Sequence, residues 1–205
     1  MKTAILASQN KNKIKEIQAI LDKHGFSVIS RDEAGIPTDD IEETGTTFEE
    51  NSYLKASTIK GMIVVDPALE KYWNSPIIAD DSGLMVDALD GAPGVYSARY
   101  AGEGCTYADN NVKLLAALEG VPDNERGAKF VTVITLIWAD GSKLVARGEC
   151  KGRIIKEARG DKGFGYDPVF VPDGYDKTFA EMGPDVKNRI SHRAKALEEL
   201  ERLLG

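Results

Sequence analysis

Two adjacent carboxylates follow a short apolar run near the middle of the chain, in the stretch Ile77-Ile78-Ala79-Asp80-Asp81-Ser82-Gly83. The apolar residues predict the end of a buried strand, and the hydroxyl and glycine that follow allow the backbone to turn. Neighbouring side chains on a strand point to opposite faces, so Asp80 and Asp81 cannot both face solvent unless the strand has already ended. We expect one of them to face a cleft.

Two carboxylates that are held close together repel each other, and a divalent cation relieves that repulsion. Hard cations such as Mg²⁺ take oxygen ligands and commonly bind together with substrate phosphates. The aspartate pair therefore indicates Mg²⁺ and a phosphate compound. The alternative is a polar turn that is stabilised by hydrogen bonds from the aspartates to the backbone, and the stretch alone does not decide between the two.

A second polar stretch has the composition of an anion-binding loop: Ser8, Gln9, Asn10, Lys11, Asn12 and Lys13. It lies between a predicted strand, Thr3 to Ala7, and apolar residues at helical spacing, so it opens a helix. The free N–H groups of a helix N-terminus attract anions. A lysine in the first turn opposes the helix dipole by about 0.3–1 kcal/mol, a cost that an anionic ligand reverses. Lys13 is the expected phosphate contact, whereas Lys11 can simply extend into water.

An acidic run, residues 39–45, precedes another predicted helix. Thr46 or Thr47 can cap this helix together with a glutamate three residues later. Acidic runs are usually solvated, but one glutamate of a mobile loop could reach a metal ion at the aspartate pair. Within the helix, Asn51 and Lys55 lie one turn apart on one face, which makes Lys55 a candidate second phosphate contact.

The last quarter of the chain holds a glycine-rich stretch, residues 160–168, with two aromatic rings. Glycines around an exposed ring form a platform on which a planar base can stack. The alternative is a connector in which Phe164 and Tyr166 both pack inward. Further on, Ser191 can cap the final helix, which places His192 and Arg193 in its first turn. An arginine fixed there can hydrogen-bond the carbonyl edge of a purine.

The remaining elements are predicted by periodicity and turn residues. A strand is expected at Phe26 to Ser30, a helix at Tyr107 to Leu118, and a short strand at Leu84 to Leu89. Two β-rich segments, Ala128 to Trp138 and Leu144 to Gly152, are joined by Asp140-Gly141 and predict a hairpin. In the helix, Val112, Leu115 and Leu118 are expected to form a core stripe. Pro67 to Pro76 is expected to be a surface excursion without chemistry.

Overall composition excludes several classes of function. The net charge of −7 argues against a binder of duplex nucleic acid, which needs a basic surface. Cys105 and Cys150 lack metal-ligand spacing. The first residues carry too short an apolar run for a signal peptide or a membrane span, so a cytoplasmic protein with no membrane partner is expected. A length of 205 residues suits a single domain, 1–205, with two lobes.

Four motifs taken together resemble the inosine triphosphate pyrophosphatase family, which hydrolyses non-canonical purine nucleoside triphosphates. They are Ser8-x-Asn10-x-x-Lys13, Asp80-Asp81-Ser82-Gly83, Phe164-Gly165-Tyr166-Asp167-Pro168 and Ser191-His192-Arg193. Glu42-Glu43-Thr44-Gly45 and Phe48-x-x-Asn51-x-x-x-Lys55 fit the same family. The match spans nearly the whole chain, and this order and spacing of motifs are specific. Gln9 is a departure, because the family often has glycine there.

The resemblance implies an α/β fold with a mixed elongated sheet, flanking helices and two lobes around a central cleft. It also implies a homodimeric, Mg²⁺-dependent enzyme that cuts ITP, dITP or XTP to the monophosphate and pyrophosphate. The catalytic aspartate of the family corresponds to Asp81, and its metal ligands correspond to Asp81 and Glu42. Its substrate contacts correspond to Ser8 through Lys13 and to Ser82, Phe164, Gly165, Tyr166, Asp167, Lys187, His192 and Arg193.

We hypothesise that Asp81 activates a water molecule that attacks the α-phosphorus, while Lys13 and Lys55 neutralise charge. Adenine presents a donor where inosine and xanthosine present a six-position acceptor, so adenine should be rejected. Two rival functions remain open. One is a nucleotide-sensing module that binds without hydrolysis, and the other is a phosphatase or kinase that handles single phosphates.

Overall fold

The computed structural model describes residues 2–8, 11–39 and 41–205, and only the backbone of Lys11 and Asn12. The described strands are β1 (Lys2–Leu6), β2 (Phe26–Ser30), β3 (Ile77–Val86), β4 (Gly127–Ile137), β5 (Lys143–Ile154) and β6 (Phe170–Pro172). The described α-helices are α1 (Lys11–Leu21), α2 (Phe48–Val65), α3 (Tyr107–Ala117), α4 (Phe179–Met182), α5 (Pro184–Ile190) and α6 (His192–Leu204).

The strands form one six-stranded sheet in the order β2-β1-β3-β4-β5-β6. β1 is parallel to both β2 and β3, whereas β5 and β6 are antiparallel. The sheet is therefore mixed and carries flanking helices, as predicted. Within the described part of the chain, no helix is both long and apolar enough to cross a membrane.

The chain divides into two compact units. Unit 1 holds the residues up to Asp81, together with Val133–Arg147 and Ala196–Gly205. Unit 2 holds Ser82–Thr132 and Gly148–Lys195. The expected arrangement of two lobes around a cleft stays a prediction.

In unit 1, β1 is buried on both faces, so its residues divide between two apolar clusters. Ala4 and Leu6 pack in a cluster with residues of α1 and α6. Ile5, which points to the opposite face, packs in a second cluster with Ile59 and Ile63 of α2. The alternation along one strand thus fixes which helices lie on which face.

The core of unit 2 is rich in aromatic residues. Phe130 of β4 lies 4.7 Å from Phe170 and 6.1 Å from Phe179, measured between ring centroids. Leu84 of β3 and Leu114 of α3 are fully buried in the same cluster. These side chains hold α3 and the segments after β5 against the strands.

The structure corrects the interpretation of Asp80 to Gly83 as a turn. β3 continues without a break from Ile77 to Val86, so the four polar or small residues lie inside a strand. The expected strand end at Ala79 is therefore wrong, and so is the separate short strand from Leu84 to Leu89. Burial of polar side chains in a strand is tolerated where each has a hydrogen-bonding partner, and partners come from neighbouring elements here.

The segment after α2 lies mostly at the surface, as expected, and it contains a 3₁₀ helix, Pro67–Tyr72, whose Leu69 is buried in the core of unit 1. One expectation about α3 is corrected. Val112 is 70% exposed, while Leu114 and Leu118 are fully buried, so the core stripe is shifted toward Leu114. Spacing alone gives the period of a helix but not which side of it meets the sheet.

Several local predictions are confirmed. β4 and β5 form the expected hairpin, in which the backbone N–H of Ser142 donates to Asp140 Oδ1 over 2.9 Å. Thr47 caps α2 through a reciprocal capping box with Glu50. β4 also carries two buried threonines, and the hydroxyl of Thr135 lies 2.7 Å from that of Ser52 on α2.

Candidate functional site

The two aspartates of β3 are both buried, and each contacts a lysine. Asp80 is 8% exposed, and its Oδ2 accepts a hydrogen bond from Lys13 Nζ over 2.6 Å. Asp81 is 7% exposed, and its Oδ1 lies 3.3 Å from Lys55 Nζ. Because neighbouring side chains on a strand point to opposite faces, two different helices are needed to supply the two cations. Neither carboxylate faces open solvent.

Helix α1 supplies Lys13. The first turn of this helix begins at Lys11, and Ser8 before it is partly buried. Gln9 and Asn10 lie outside the described residues, as do the side chains of Lys11 and Asn12. The proposed phosphate loop is therefore described only at its two ends, and its role stays a prediction.

Helix α2 supplies Asn51 and Lys55 from one face, as their spacing predicts. Asn51 is fully buried, and its Nδ2 donates to Asp81 Oδ2 over 3.3 Å. Its Oδ1 accepts from the backbone N–H of Gly45 over 2.8 Å. A Cβ atom at Gly45 would lie 2.5 Å from that same Oδ1, so only glycine allows this approach. Asn51 thereby holds in position both the Asp81 carboxylate and Gly45, the last residue of the acidic run.

The acidic run contributes one carboxylate to this group. Glu43 Oε1 lies 3.0 Å from Lys55 Nζ, whereas Glu42 is exposed. The resemblance assigns the metal-binding glutamate to Glu42, but it is the neighbouring Glu43 that lies beside Lys55. Ligation by Glu42 stays a prediction.

Burial controls the electrostatics of this group. Removal from water raises the pKa of Asp81; Lys55 opposes this change, and the nearby charge of Glu43 reinforces it. Burial alone would lower the pKa of Lys55, but attraction to Asp81 and Glu43 outweighs it and raises the pKa. Asp81 therefore holds a proton more readily than an exposed aspartate, while Lys55 stays charged.

These residues suit a Mg²⁺ ion that also binds substrate. Among residues 2–8, 11–39 and 41–205, no three acidic, histidine or cysteine side chains form a ready-made metal cage. Mg²⁺ commonly takes only one or two protein carboxylates and completes its coordination with phosphate and water. The carboxylates of Asp81 and Glu43, which both contact Lys55, provide such a partial set.

Unit 2 contains a cavity of about 170 Å³, well above the roughly 10–15 Å³ that a cavity needs to hold one water molecule. Its lining includes every substrate contact that the resemblance places from Ser82 onward, together with several other residues. The lining consists of Ser82, Gly83, Leu84, Ser97, Ala98, Tyr107, Phe130, Phe164, Gly165, Tyr166, Asp167, Lys187, His192 and Arg193.

Asp167 organises one side of the cavity. Its carboxylate is almost fully buried and accepts hydrogen bonds from the backbone N–H of Phe164 and from Lys187 Nζ. Lys187 Nζ also lies 4.2 Å from the centroid of the Phe164 ring, at cation–π distance. At Gly163, a Cβ atom would lie 2.1 Å from Asp167 Oδ2, so the turn depends on glycine.

The two aromatic rings of the glycine-rich stretch differ. Phe164 is 54% exposed and offers its ring as a platform. Tyr166 is 4% exposed, and its hydroxyl donates to the carbonyl of Ser97 over 2.8 Å. The inward-packing alternative is therefore right for Tyr166 and wrong for Phe164, whose role as a stacking platform stays a prediction.

Helix α6 supplies His192 and Arg193 to the cavity. Ser191 caps this helix, since its Oγ accepts from the backbone N–H of Ala194 over 3.2 Å. The His192 ring stacks on Phe130 with centroids 4.9 Å apart. Ser82 of β3 also lines the cavity, and its hydroxyl lies 2.8 Å from that of Thr132.

Three contributors to the cavity are not indicated by any sequence motif. Ser97 anchors β3 because its Oγ accepts from the backbone N–H of Leu84 over 2.8 Å. Asn111 of α3 donates through Nδ2 to the carbonyl of Gly165 over 2.9 Å, and Tyr107 of the same helix lines the cavity. The capping signal at Thr106 marks where α3 begins, but nothing in the sequence pairs this helix with a turn more than 50 residues away.

These features define a mixed α/β protein with a carboxylate–lysine group at β3 and a cavity lined by aromatic and charged side chains. The chain belongs to the Ham1 family, whose model matches residues 4–203.

The chain is similar along its full length to curated and solved members of this group. It is 50% identical to a dITP/XTP pyrophosphatase of Clostridium perfringens, over 98% of this chain and 96% of the relative. It is 45% identical to the dITP/XTP pyrophosphatase of Bacillus subtilis, over 100% of this chain and 98% of the relative. The structure of a HAM1 protein from Coxiella burnetii superposes with a TM-score of 0.87 at 42% identity, and covers 100% of this chain and 98% of that one.

Proposed function

We propose that this protein is a cytoplasmic, Mg²⁺-dependent pyrophosphatase that hydrolyses ITP, dITP and XTP to the monophosphate and pyrophosphate. Such an enzyme removes non-canonical purine nucleotides from the nucleotide pool. The observation that carries the proposal is the buried group formed by Asp81, Lys55, Asn51 and Glu43. The full-length similarity of the chain to relatives named dITP/XTP pyrophosphatase supports the same activity.

In the proposed mechanism Asp81 is the general base. Its carboxylate is buried and held by Asn51 and Lys55, so it has a fixed position from which to accept a proton from a bound water. The water oxygen forms a bond to the α-phosphorus, the bond from that phosphorus to the bridging oxygen breaks, and pyrophosphate leaves. The proton of the water passes to Asp81. Asn51 orients the carboxylate for this transfer through its 3.3 Å hydrogen bond.

Lys13 and Lys55 hold the triphosphate and neutralise its negative charge. Both ammonium groups contact carboxylates at the β3 aspartates, so the positive charge is already fixed in place before substrate binds. When bound, Mg²⁺ supplies further charge neutralisation, and Asp81 together with Glu43 or Glu42 would hold it. Ser8 to Lys13 would contribute backbone N–H groups to the phosphates.

The cavity of unit 2 is assigned to the purine. Phe164 provides a stacking surface, and Lys187 and Arg193 are donor-only side chains in the cavity lining. Donors match the six-oxo group of inosine and xanthosine and oppose the six-amino group of adenine. Ser82, Gly165, Tyr166, Asp167 and His192 complete the proposed pocket.

The decisive experiment identifies the phosphate product. The purified protein is incubated with ITP and Mg²⁺, and pyrophosphate and orthophosphate are measured separately, with and without EDTA. Pyrophosphate that appears only in the presence of Mg²⁺ supports the proposal. Orthophosphate alone would indicate a phosphatase, and binding without either product would indicate a nucleotide-sensing module.

Base specificity is tested by comparing ATP with ITP as substrates. Equal turnover of ATP and ITP would contradict the assignment of His192 and Arg193 to the base.

The oligomeric state is tested separately. A molar mass measured in solution by light scattering tests the proposed homodimer, for which twice the 22.3 kDa of the chain is expected.

A further inference from the structure

Tyr107 is an exposed aromatic residue that faces the same cavity as Phe164. It is the first residue of α3, it lines the cavity, and it is 57% exposed. Its ring centroid lies 6.2 Å from that of Phe164, with an angle of 43° between the planes. Two large exposed rings side by side at the rim of a cavity are costly to leave in water, which points to a ligand that covers them.

Helix α3 holds this ring in place by contacts on two sides of the cavity. Asn111, one turn after Tyr107, donates through Nδ2 to the carbonyl of Gly165 over 2.9 Å. Asn110 donates to the carbonyl of Ala98 over 3.1 Å. Gly165 and Ala98 both line the cavity, so the helix is tied to two of its walls.

The start of the helix is fixed as well. Thr106 caps α3, and its backbone N–H and hydroxyl both donate to Asp109 Oδ2, over 2.8 Å and 2.7 Å. Capping and the two asparagine contacts together limit the movement of the backbone at residue 107. Tyr107 can then move mainly by rotation about its side-chain bonds. The entropy cost of ordering its ring on binding is therefore small.

We propose that Tyr107 forms a second aromatic wall of the purine cavity and contacts the base beside Phe164, an inference that rests on the proposed function. Ring centroids 6.2 Å apart are within direct contact distance, so the observed separation leaves no room for a base between the two rings. The base therefore stacks on Phe164 and meets Tyr107 along one edge.

Equilibrium binding of inosine monophosphate tests this wall. Tyr107→Ala should raise the dissociation constant and the KM for ITP by about threefold to tenfold, the range expected for loss of one aromatic contact. Tyr107→Phe, which keeps the ring, should restore most of the lost binding. Val112→Ala is the matched control on the same helix, because Val112 is 70% exposed and does not line the cavity.

Inhibition by inorganic tripolyphosphate separates a role in base binding from a general structural role. This probe carries no base, so its inhibition constant should be the same in Tyr107→Ala and in the wild-type protein. Equal weakening of tripolyphosphate and inosine monophosphate would overturn the proposal. A dissociation constant for inosine monophosphate within twofold of wild type in Tyr107→Ala would also overturn it, and would leave Tyr107 as a cover for Phe164.

The binding readout also distinguishes failure of this inference from failure of the proposed function. If the wild-type protein binds inosine monophosphate but releases no pyrophosphate from ITP, the proposed activity fails and the variants still decide the role of Tyr107. If the wild-type protein binds no inosine monophosphate at any accessible concentration, the inference is overturned as well.

Discussion

The charged group of unit 1 and the cavity of unit 2 are built in different ways. In unit 1, Lys13, Lys55 and Asp81 come from the regular elements α1, α2 and β3. In unit 2, Phe164 lies in an irregular stretch whose turns depend on glycines, and Asp167 fixes that stretch through hydrogen bonds. The charged side chains of α1, α2 and β3 are positioned by the periodicity of secondary structure, whereas the Phe164 ring is positioned by a few polar anchors.

This difference determines what each region does best. Charges on helices and a strand keep fixed positions, which suits electrostatic stabilisation because little reorganisation is needed during the reaction. An aromatic surface on an anchored turn can adjust its side chains to a base while its backbone stays in place. We therefore expect substitutions in unit 1 to reduce turnover and substitutions in the cavity to reduce affinity.

The largest effect is expected for Asp81→Asn. Loss of the proposed base should lower kcat for ITP by about 10³-fold or more, measured as pyrophosphate release. Because burial raises the pKa of Asp81 above its unfolded value, its ionised form destabilises the fold as pH rises through that pKa. Removing the charge relieves that cost but also removes one of the two carboxylates that stabilise the Lys55 ammonium group, so the thermal midpoint at pH 7 should change little.

Asp32→Asn provides the control for that experiment, since Asp32 is an exposed aspartate of unit 1. It should change neither kcat nor the thermal midpoint. Asp81→Asn with near-normal turnover would remove Asp81 from the mechanism.

Lys55→Met should have the next largest effect. We expect kcat/KM for ITP to fall by about 10²-fold, because one fixed positive charge is lost at the developing negative charge. Lys55 also lowers the pKa of Asp81, so its removal should shift the acidic limb of the pH–rate profile to higher pH.

Lys60→Met is the matched control on α2. Its ammonium group donates to the carbonyls of Trp138 and Ala139, so the substitution removes the same charge elsewhere on the helix. An acidic limb that stays at the wild-type pH in Lys55→Met would contradict the electrostatic coupling to Asp81.

Substitution of the two rings of the glycine-rich stretch, Phe164 and Tyr166, should affect substrate affinity and protein stability differently. Phe164→Ala should raise KM for ITP by about tenfold, since loss of base stacking costs about 1–3 kcal/mol. Its thermal midpoint should change little, because the ring is 54% exposed. Tyr166→Phe should show the reverse, with a loss of about 1 kcal/mol of stability from the hydrogen bond to Ser97 and little change in KM. Equal effects of both substitutions on KM would mean that the rings share one role.

The smallest effect concerns the cysteines. Burial raises the pKa of the Cys150 thiol, so little thiolate is available for alkylation at pH 8. Iodoacetamide should modify the partly exposed Cys105 first and Cys150 only after denaturation, as mass spectrometry would show. Rapid native labelling of Cys150 would indicate that the cluster around it opens.

The sequence predicted the parts of this molecule that depend on local chemistry. Thr47 and Ser191 cap their helices through side-chain oxygens, and Asp140-Gly141 forms the hairpin turn. The common face of Asn51 and Lys55 follows directly from the helical period.

The parts that depend on distant neighbours were not predictable. Asp80 and Asp81 lie inside a strand, where lysines from two helices contact them, and no local signal in the sequence records those contacts. Likewise, Tyr166 is buried because Ser97, far away in sequence, offers a carbonyl to its hydroxyl. Helical spacing gave α3 its period, but contacts with the rest of unit 2 decide that Leu114 rather than Val112 faces inward.

The buried threonines of β4 have a consequence for the alignment of the strand. A run of apolar residues such as Val131 to Ile137 can slide along its neighbours with little penalty in burial. Thr132 and Thr135 interrupt that run, and each hydroxyl is matched by a serine, Ser82 and Ser52 respectively. A slip by one residue would leave buried hydroxyls without partners, at about 1–3 kcal/mol for each. The two threonine hydroxyls thus help to fix the register of β4 within the sheet.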